Sequence, residues 1–225
     1  MKKTIIIGGK PFDYDAIHLT RESAPILTFE QAKDILFTTK DLLDEKGINF
    51  ALIYGTLLGA VRDKSFISHD FDVDVYTSQI EELTNAIPYL YERGLKICRF
   101  HPNKLYSFEK DGVYIDIYLK SKASFPFNIW CCSVNGHIMP AKYLAETEYI
   151  NFLGKEFLIP KNPERLLEFF YGKTWTIPIK GDNGRCDIKI IVWYQKLKTI
   201  IQKTIGWYKW RHYVKRKYRT DYAEG

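Results

Sequence analysis

The chain has 225 residues, a formal net charge of +6, and 46% hydrophobic and 16% aromatic residues, so it can bury the core of one domain of average or slightly large size with a small appendage. No apolar run approaches the ~20 residues of a membrane span, and the apolar stretch after Met1 is too short for a signal peptide. The four cysteines show no CxxC spacing, which argues against zinc and predicts reduced thiols in a cytoplasmic protein.

The positive charge is concentrated near the C-terminus. Residues 196–225 carry nine Lys or Arg and two Asp or Glu, whereas residues 1–195 carry 24 basic and 25 acidic side chains. We therefore predict two parts, a folded domain over residues 1–195 and a basic, aromatic tail over residues 196–225.

The first predicted elements are a short N-terminal strand and then a helix. Thr28 is the expected N-cap of this helix, and Gly47 is its expected C-cap. A strand over residues 49–54 follows, and a turn at Gly55 leads into a short helix over residues 56–61.

The next elements alternate between strand and helix. Residues 72–76 are predicted to form a strand and residues 80–93 a helix. Residues 104–109 and 113–119 are predicted to form a hairpin around an Asp-Gly turn. The chain is less regular beyond the hairpin, with a short strand pair and a helix over residues 163–171 that has Pro at its favourable first position.

Three aspartates alternate with apolar residues in the most informative stretch of the chain. Asp70, Asp72 and Asp74 would lie on one face of a strand, because residues i, i+2 and i+4 of a strand point the same way. Carboxylates side by side need positive charge between them, and Mg²⁺, with Mn²⁺ as the alternative, prefers such oxygen ligands. The alternative is an exposed acidic strand edge that binds no metal. A calcium-binding EF-hand loop is disfavoured because Val75 stands where that loop needs Gly.

A further aspartate, Asp116, lies between isoleucines in the predicted strand over residues 113–119. A lone carboxylate in an apolar strand is costly unless it is paired or bound to a metal. Two explanations therefore stay open, an ion pair with a nearby Lys or Arg and a third metal ligand, and the acidic run upstream favours the ligand.

These residues resemble a known family. A strand, a Gly-Thr turn, a short helix, an acidic strand and a later strand with one more Asp resemble the nucleotidyltransferase superfamily. The stretch from Tyr54 to Arg62, which reads YGTLLGAVR, is similar to the LicD family together with Asp70-x-Asp72-x-Asp74. The resemblance covers roughly residues 28–180. It implies an α+β fold, with a mixed β-sheet flanked by helices over residues 1–195, followed by the basic amphipathic helical segment.

The LicD family includes phosphocholine transferases of bacterial surface glycans and the fukutin group of ribitol-phosphate transferases. The resemblance therefore implies an enzyme that moves a substituted phosphate from a CDP-linked small-molecule donor to a sugar hydroxyl of a glycan, free or lipid-linked, and releases CMP. Two alternatives stay open. One is a nucleotidyltransferase that adds NMP to a small molecule, protein or RNA. The other is a nucleic-acid-binding protein without enzymatic activity, which the intact set of carboxylates disfavours.

The resemblance also assigns roles to the acidic residues. Asp72, Asp74 and Asp116 would be catalytic and would hold one or two Mg²⁺ ions against the donor diphosphate. Asp116 is the first choice for the general base, since it could face the acceptor hydroxyl. Asp70 is either an outer ligand or a residue that orients the others.

Five residues are candidates for substrate binding. Gly55 would let the backbone approach the donor, and Thr56 offers a hydroxyl and an N–H to phosphate. Arg62 would make a bidentate contact with phosphate, or an ion pair with a nearby aspartate instead. Lys64 and Lys104 are weaker phosphate candidates, and each could equally be a solvated surface residue.

The basic tail combines Lys and Arg with aromatic residues between Lys196 and Arg219. An amphipathic helix of this composition suits an anionic membrane surface, which predicts a peripheral protein on the inner face of the membrane. Packing on the protein's own domain and binding of nucleic acid are the alternatives, and nucleic acid is the less favoured partner.

Overall fold

A computed structural model describes residues 2–17, 27–68, 70, 72–123 and 127–178, together with residues 200, 203, 204 and 206 of the tail. The chain divides into two compact units, Met1–Cys186 and Asp187–Gly225. In the second unit the described residues are helical and exposed. The predicted boundary after residue 195 and most of the predicted tail helix lie outside the described residues. Within the described part, no helix has the length and apolar character needed to cross a membrane.

The first unit mixes helices and strands, which confirms the predicted α+β class. Its helices are α1 (Phe29–Asp44), α2 (Tyr54–Leu58), α3 (Ile80–Glu92) and α4 (Pro163–Tyr171). Its strands are β1 (Lys2–Ile7), β2 (Lys10–Asp15), β3 (Ala51–Leu52), β4 (Val73–Thr77), β5 (Lys96–His101), β6 (Leu105–Lys110), β7 (Val113–Lys122), β8 (Cys131–Val134), β9 (His137–Pro140), β10 (Thr147–Phe152) and β11 (Lys155–Pro160).

A mixed sheet forms the centre of this unit, with the strand order β10-β11-β3-β4-β7-β6-β5 and with β8 and β9 added beside β7. Strands β4 and β7 are parallel neighbours in the middle of the sheet. Val73 and Val75 of β4 and Ile115 and Ile117 of β7 are completely buried. Because side chains alternate along a strand, burial of these four residues turns the intervening aspartates to the opposite face of the sheet.

Most of the predicted elements are present, with boundaries that differ by a few residues. Helix α1 has the predicted N-cap, because the Thr28 hydroxyl accepts the Gln31 N–H at 3.3 Å and the Gln31 side chain accepts the Thr28 N–H at 3.0 Å. Its C-cap is Glu45, so the prediction of Gly47 was wrong. The predicted strand over residues 49–54 is reduced to Ala51–Leu52. The reason is that Tyr54, at a φ of 48°, already begins helix α2.

Helix α2 continues into a π-helical turn over Gly59–Asp63, where a simple helix end was predicted. Gly59 explains this geometry, because a Cβ at this position would lie 2.4 Å from the backbone oxygen of Ser65. The absence of a side chain lets the loop after the turn return against the helix. Such single π turns are frequent at functional sites.

Candidate active site

The acidic residues meet at the centre of the sheet. Asp74 of β4 and Asp116 of β7 are direct neighbours in the parallel register, and Asp72 immediately precedes β4. One carboxylate oxygen from each of these residues lies within 4.8 Å of the others. Asp74 is 7% exposed and Asp116 is 3% exposed. The structure therefore brings the three predicted metal ligands, named here the acidic triad, into one cluster.

Asp74 is the residue of the triad with the least favourable surroundings. Its buried Oδ1 has no hydrogen-bond partner among the described residues. Burial, and after it the charges of Asp72, Asp116 and Asp70, raise the pKa of Asp74 well above its usual value, while a hydrogen bond from Tyr118 acts in the opposite direction. A buried carboxylate of this kind is costly without a compensating charge. A cluster of oxygen ligands alone fits a hard divalent cation such as Mg²⁺ or Mn²⁺.

Asp116 has a cationic partner that the sequence did not reveal. Arg99 of β5 donates from Nη2 to both carboxylate oxygens of Asp116, at 2.8 and 2.9 Å. The Ser107 hydroxyl donates to Oδ1 of Asp116 at 2.6 Å. The ion pair that sequence reasoning treated as an alternative to metal binding is thus present within the acidic triad itself.

Of these two partners, Ser107 could have been found from the sequence. The turn of the β6–β7 hairpin pairs Lys110 with Val113, and counting outward from that pair places Ser107 opposite Asp116. Arg99 could not have been found in this way, because the register of β5 on β6 contains an irregularity.

Gly55 and Thr56, predicted as a turn before a helix, instead lie in the first turn of helix α2, beneath the acidic residues. A Cβ on Gly55 would lie 2.6 Å from Oδ2 of Asp70, so a side chain at this position would displace this carboxylate. The buried Thr56 hydroxyl accepts the backbone N–H of Asp74 at 2.8 Å. The Ile53 N–H donates to the Asp74 carbonyl at 3.2 Å. The turn therefore fixes the acidic strand, and a contact of Thr56 with phosphate stays a prediction.

Arg62 forms the ion pair that was its alternative role. Its Nε and Nη2 donate to the two carboxylate oxygens of Asp63, each at 2.7 Å. Its Nη1 donates to the Trp175 carbonyl at 3.4 Å, which links the π-helical turn to the segment after α4. Lys64 and Lys104 are exposed, and in the described part of the chain neither contacts the acidic triad. The phosphate contacts proposed for these three cations stay predictions.

A groove of about 230 Å³ opens beside the acidic residues. It lies between the start of α1 and the loop after the π-helical turn, and the rings of Phe29 and Phe66 meet edge-to-face in its wall, 5.9 Å apart. Asp70 and Asp72 form one of its borders. A site with apolar walls and a few convergent polar groups is the usual form of a small-molecule site.

A mixed sheet, a Gly-Thr pair at the start of a helix and three carboxylates on or directly before two neighbouring strands agree with the predicted resemblance to nucleotidyltransferases. The sequence matches the family described as LicD/FKTN/FKRP, nucleotidyltransferase domain, over residues 47–162, and the chain belongs to this family. It is 27% identical over 161 residues to the ribitol-5-phosphate transferase FKTN of Macaca fascicularis, a match that covers 67% of this chain and 34% of that protein. The human FKTN is 26% identical with the same coverage. The chain thus spans about a third of the length of these curated relatives.

Two solved structures are similar to this chain. The lincomycin-bound lincosamide antibiotic adenylyltransferase LnuA has a TM-score of 0.44 and 14% identity, and the match covers 64% of this chain and 86% of that chain. The antibiotic-resistance factor ANT(2'')-Ia has a TM-score of 0.46 and 9% identity, and covers 87% of this chain and 100% of its own.

Proposed function

We propose that this protein is a metal-dependent transferase that moves a substituted phosphate, of the phosphocholine or polyol-phosphate type, from a CDP-linked donor to a sugar hydroxyl of a surface glycan. Membership of the LicD/FKTN/FKRP family and the named activity of the FKTN relatives support this class of reaction. The observation that carries the proposal for this chain is the buried Asp74 carboxylate, which has an oxygen without a hydrogen-bond partner among the described residues and stands beside Asp72 and Asp116.

The donor atoms of the acidic triad fit a Mg²⁺ or Mn²⁺ ion, which Asp72, Asp74 and Asp116 would hold with Asp70 beside them. Bound there, such an ion would neutralise the charge that develops on a diphosphate during transfer. In the reaction, the acceptor hydroxyl oxygen forms a bond to the donor's distal phosphorus. The bond from that phosphorus to the bridging oxygen breaks, and CMP leaves with this oxygen.

The chain's own residues would position the reacting groups. Asp116 is the proposed general base for the acceptor proton, and Arg99 and Ser107 hold its carboxylate in one orientation. Gly55 would allow the donor phosphates to approach the backbone, and Thr56 would contact them from the same turn. Arg62 would join them by exchanging the Asp63 carboxylate for a phosphate, because a guanidinium binds both groups through the same two-pronged geometry.

Exposed cations and the groove complete the proposed site. Lys64 and Lys104 would attract the anionic donor without a fixed contact. The groove lined by Phe29 and Phe66 would take an apolar or ring-shaped part of a substrate. The tail between residues 196 and 225 would bring the enzyme to an anionic membrane surface on the cytoplasmic side, where a lipid-linked acceptor would be located.

The experiment incubates the full chain with Mg²⁺, a sugar acceptor and one of four donors, CDP-choline, CDP-ethanolamine, CDP-glycerol or CDP-ribitol, and measures the CMP released. We expect CMP from at least one donor, its loss with EDTA or in the Asp74→Asn variant, and its retention in Asp111→Asn, which removes an exposed carboxylate from the hairpin turn. Release of pyrophosphate from a nucleoside triphosphate, without CMP from any CDP donor, would replace the proposal with nucleotidyl transfer.

A further inference from the structure

Arg99 faces the acidic triad because strand β5 contains a bulge. Ile97 pairs with Phe108 and Arg99 pairs with Ser107, so the register shifts by one residue and skips Cys98. In an unbroken register Arg99 would instead stand opposite Tyr106. Because a slip of one residue moves a side chain to the other face of a sheet, the bulge is what turns Arg99 toward the carboxylates. Bulges that re-aim a side chain are common beside active sites.

The bulge delivers Arg99 into a closed ring of hydrogen bonds. Arg99 donates from Nη2 to Asp116 at 2.8 Å and from Nε to the Ser107 hydroxyl at 2.8 Å, and Ser107 donates to Asp116 at 2.6 Å. Ser107 is completely buried, whereas the Arg99 side chain is 24% exposed and that of Asp116 is 4% exposed. Such a ring fixes the position of the guanidinium, because each member constrains the other two. The guanidinium is positively charged throughout, because arginine is not deprotonated in proteins.

The charges in this cluster match one divalent cation. Within the acidic triad, the positive charge of Arg99 compensates Asp116, which leaves the two carboxylates of Asp72 and Asp74 for a single doubly charged ion. The charge of Asp70 also acts on Asp74, but Asp70 does not belong to the group of converging ligand oxygens. A second divalent ion on the same three carboxylates would leave an excess of positive charge beside Arg99. Uncompensated charge is expensive in a buried site, and Asp74 and Asp116 are only 7% and 3% exposed.

We propose that Arg99 is a positioning residue that takes the place of a second metal ion, so that the acidic triad binds one divalent cation before any substrate arrives. Two-metal sites place their second ion where a bound oxygen needs positive charge. In this chain the guanidinium already supplies a positive charge at Asp116. This inference rests on the proposed metal dependence, and it goes beyond it by setting the number of ions and by assigning a role to Arg99 and the bulge.

The test counts the Mn²⁺ ions bound to the full chain, by the electron paramagnetic resonance signal of free Mn²⁺ and by calorimetry. Ions at the triad are those lost in the Asp74→Asn variant. We expect one in the wild type, one in Arg99→Lys, and two in Arg99→Gln, which keeps hydrogen-bonding groups and loses the charge. The matched control is Arg93→Gln, an equal loss of charge at an exposed residue, which should bind one. Ser107→Ala should also bind one, about tenfold more weakly, as is usual for loss of an outer partner of a ligand.

Two Mn²⁺ ions at the triad of the wild type would overturn the inference, as would Arg99→Gln binding a single ion with wild-type affinity. A wild type that binds no Mn²⁺ at the triad would instead refute the proposed metal-dependent function. If circular dichroism shows that Arg99→Gln does not fold, the wild-type count and the affinity of Ser107→Ala still decide, and unchanged affinity in Ser107→Ala would count against a positioning role for the ring.

Discussion

Among the described residues, Asp74 is a buried acidic side chain whose charge is poorly compensated. Its Oδ1 is buried without a hydrogen-bond partner among the described residues, and burial, followed by the charges of Asp72, Asp116 and Asp70, raises its pKa. Carboxylates that converge in a buried site repel one another unless a cation lies between them. This repulsion lowers the free energy of unfolding of the metal-free protein, and its size depends on pH because it requires the ionised carboxylate.

The first prediction is that the metal-free protein loses stability as the pH rises. Because the pKa of Asp74 is raised in the folded state from its usual value of 3.8, its contribution to the free energy of unfolding is fully present below that value and disappears as the pH rises through the folded pKa. Urea unfolding in EDTA at several pH values should show this loss in the wild type and in Asp111→Asn, and a smaller loss in Asp74→Asn. Parallel pH profiles for the wild type and Asp74→Asn would contradict this prediction.

The second prediction separates two members of the acidic triad by the sign of their effect on stability. Asp72→Asn, Asp74→Asn and Asp116→Asn should each abolish transfer with the fold retained. In EDTA, Asp74→Asn should keep or raise the free energy of unfolding because repulsion is relieved. Asp116→Asn should lower the free energy of unfolding by about 1–3 kcal/mol, because it removes the carboxylate that pairs with Arg99. The loss is limited because the Arg99 side chain is 24% exposed and keeps some access to water.

These measurements use the same urea titration for all three variants, with circular dichroism as the check of folding. Equal changes in stability for Asp74→Asn and Asp116→Asn would mean that the two carboxylates have equivalent surroundings, contrary to the contacts of Arg99 and Ser107. Full transfer activity in Asp72→Asn or Asp74→Asn would remove the metal assignment.

The third prediction concerns Gly55, whose missing side chain makes room for an acidic residue. A Cβ at this position would come within 2.6 Å of Oδ2 of Asp70 and 3.7 Å of Oδ2 of Asp74. Because these atoms are the ends of side chains, they can move, so Gly55→Ala should fold with a loss of about 1 kcal/mol or less. Transfer activity should fall at least tenfold because the carboxylates are displaced. The control is Gly112→Asn, at a turn where a Cβ meets nothing within 4 Å and where the φ of 81° is left-handed, a conformation that Asn tolerates better than other residues with a side chain; it should keep its activity. An active Gly55→Ala would show that the position of Asp70 is unimportant.

At the scale of elements, the π-helical turn after α2 depends on a different kind of contact. A Cβ on Gly59 would lie 2.4 Å from the Ser65 backbone oxygen and 3.2 Å from the Ile67 backbone nitrogen. Backbone cannot rotate away as a side chain can, so the fourth prediction is that Gly59→Ala lowers the free energy of unfolding by about 1–3 kcal/mol, the usual cost of overpacking. Urea unfolding beside Gly55→Ala measures it. A smaller loss for Gly59→Ala than for Gly55→Ala would show that the loop after the turn adapts.

The local elements and the shared face of Asp72 and Asp74 could be predicted from the sequence, because they depend on interactions between residues that are close along the chain. Alternation of Asp72 and Asp74 with valines indicated a strand and a shared face, and the Thr28 cap located the start of α1. The parallel pairing of β4 with β7 is a contact between distant segments. Periodicity does not encode such a pairing. Asp116 was predicted to join the others because a lone carboxylate in an apolar strand is costly, and the resemblance to a family supported the same assignment.

Arg99 shows where pattern reasoning ends. Its side chain reaches Asp116 only because β5 has a bulge between Ile97 and Arg99, and a bulge depends on how two strands fit together rather than on the composition of either. Arg62 shows a related limit. The residues around Arg62 allow its guanidinium to bind either a phosphate or Asp63. In the structure it binds Asp63 and the Trp175 carbonyl, and the second contact depends on how the segment after α4 packs.

At the scale of the whole molecule, charge and proposed chemistry are located in different parts of the chain. Every proposed metal and phosphate ligand lies between Gly55 and Asp116, and these residues and the groove lined by Phe29 and Phe66 belong to the first unit, Met1–Cys186. The nine Lys or Arg of residues 196–225, with only two acidic residues, belong to the second unit. Such a division suits an enzyme that would carry out its chemistry with one part and approach a charged surface with the other.

The fifth prediction is that removal of residues 196–225 separates attachment from catalysis. Each Lys or Arg near an anionic membrane contributes on the order of 1 kcal/mol, within a Debye length of about 10 Å at 0.1 M salt. The nine basic residues of the tail would therefore bind reversibly even if half of them face away from the lipid.

In sedimentation with vesicles that contain phosphatidylserine, the full chain should bind at least tenfold more tightly than the truncated one. Raised salt should weaken binding of the full chain, and neutral vesicles should bind neither. Mn²⁺ binding and CMP release with a short soluble acceptor should be unchanged by truncation, because the acidic triad belongs to the first unit. Equal binding of both chains to anionic vesicles would remove the membrane from the proposed function, and tail-dependent binding of RNA in place of vesicles would assign the basic residues to nucleic acid.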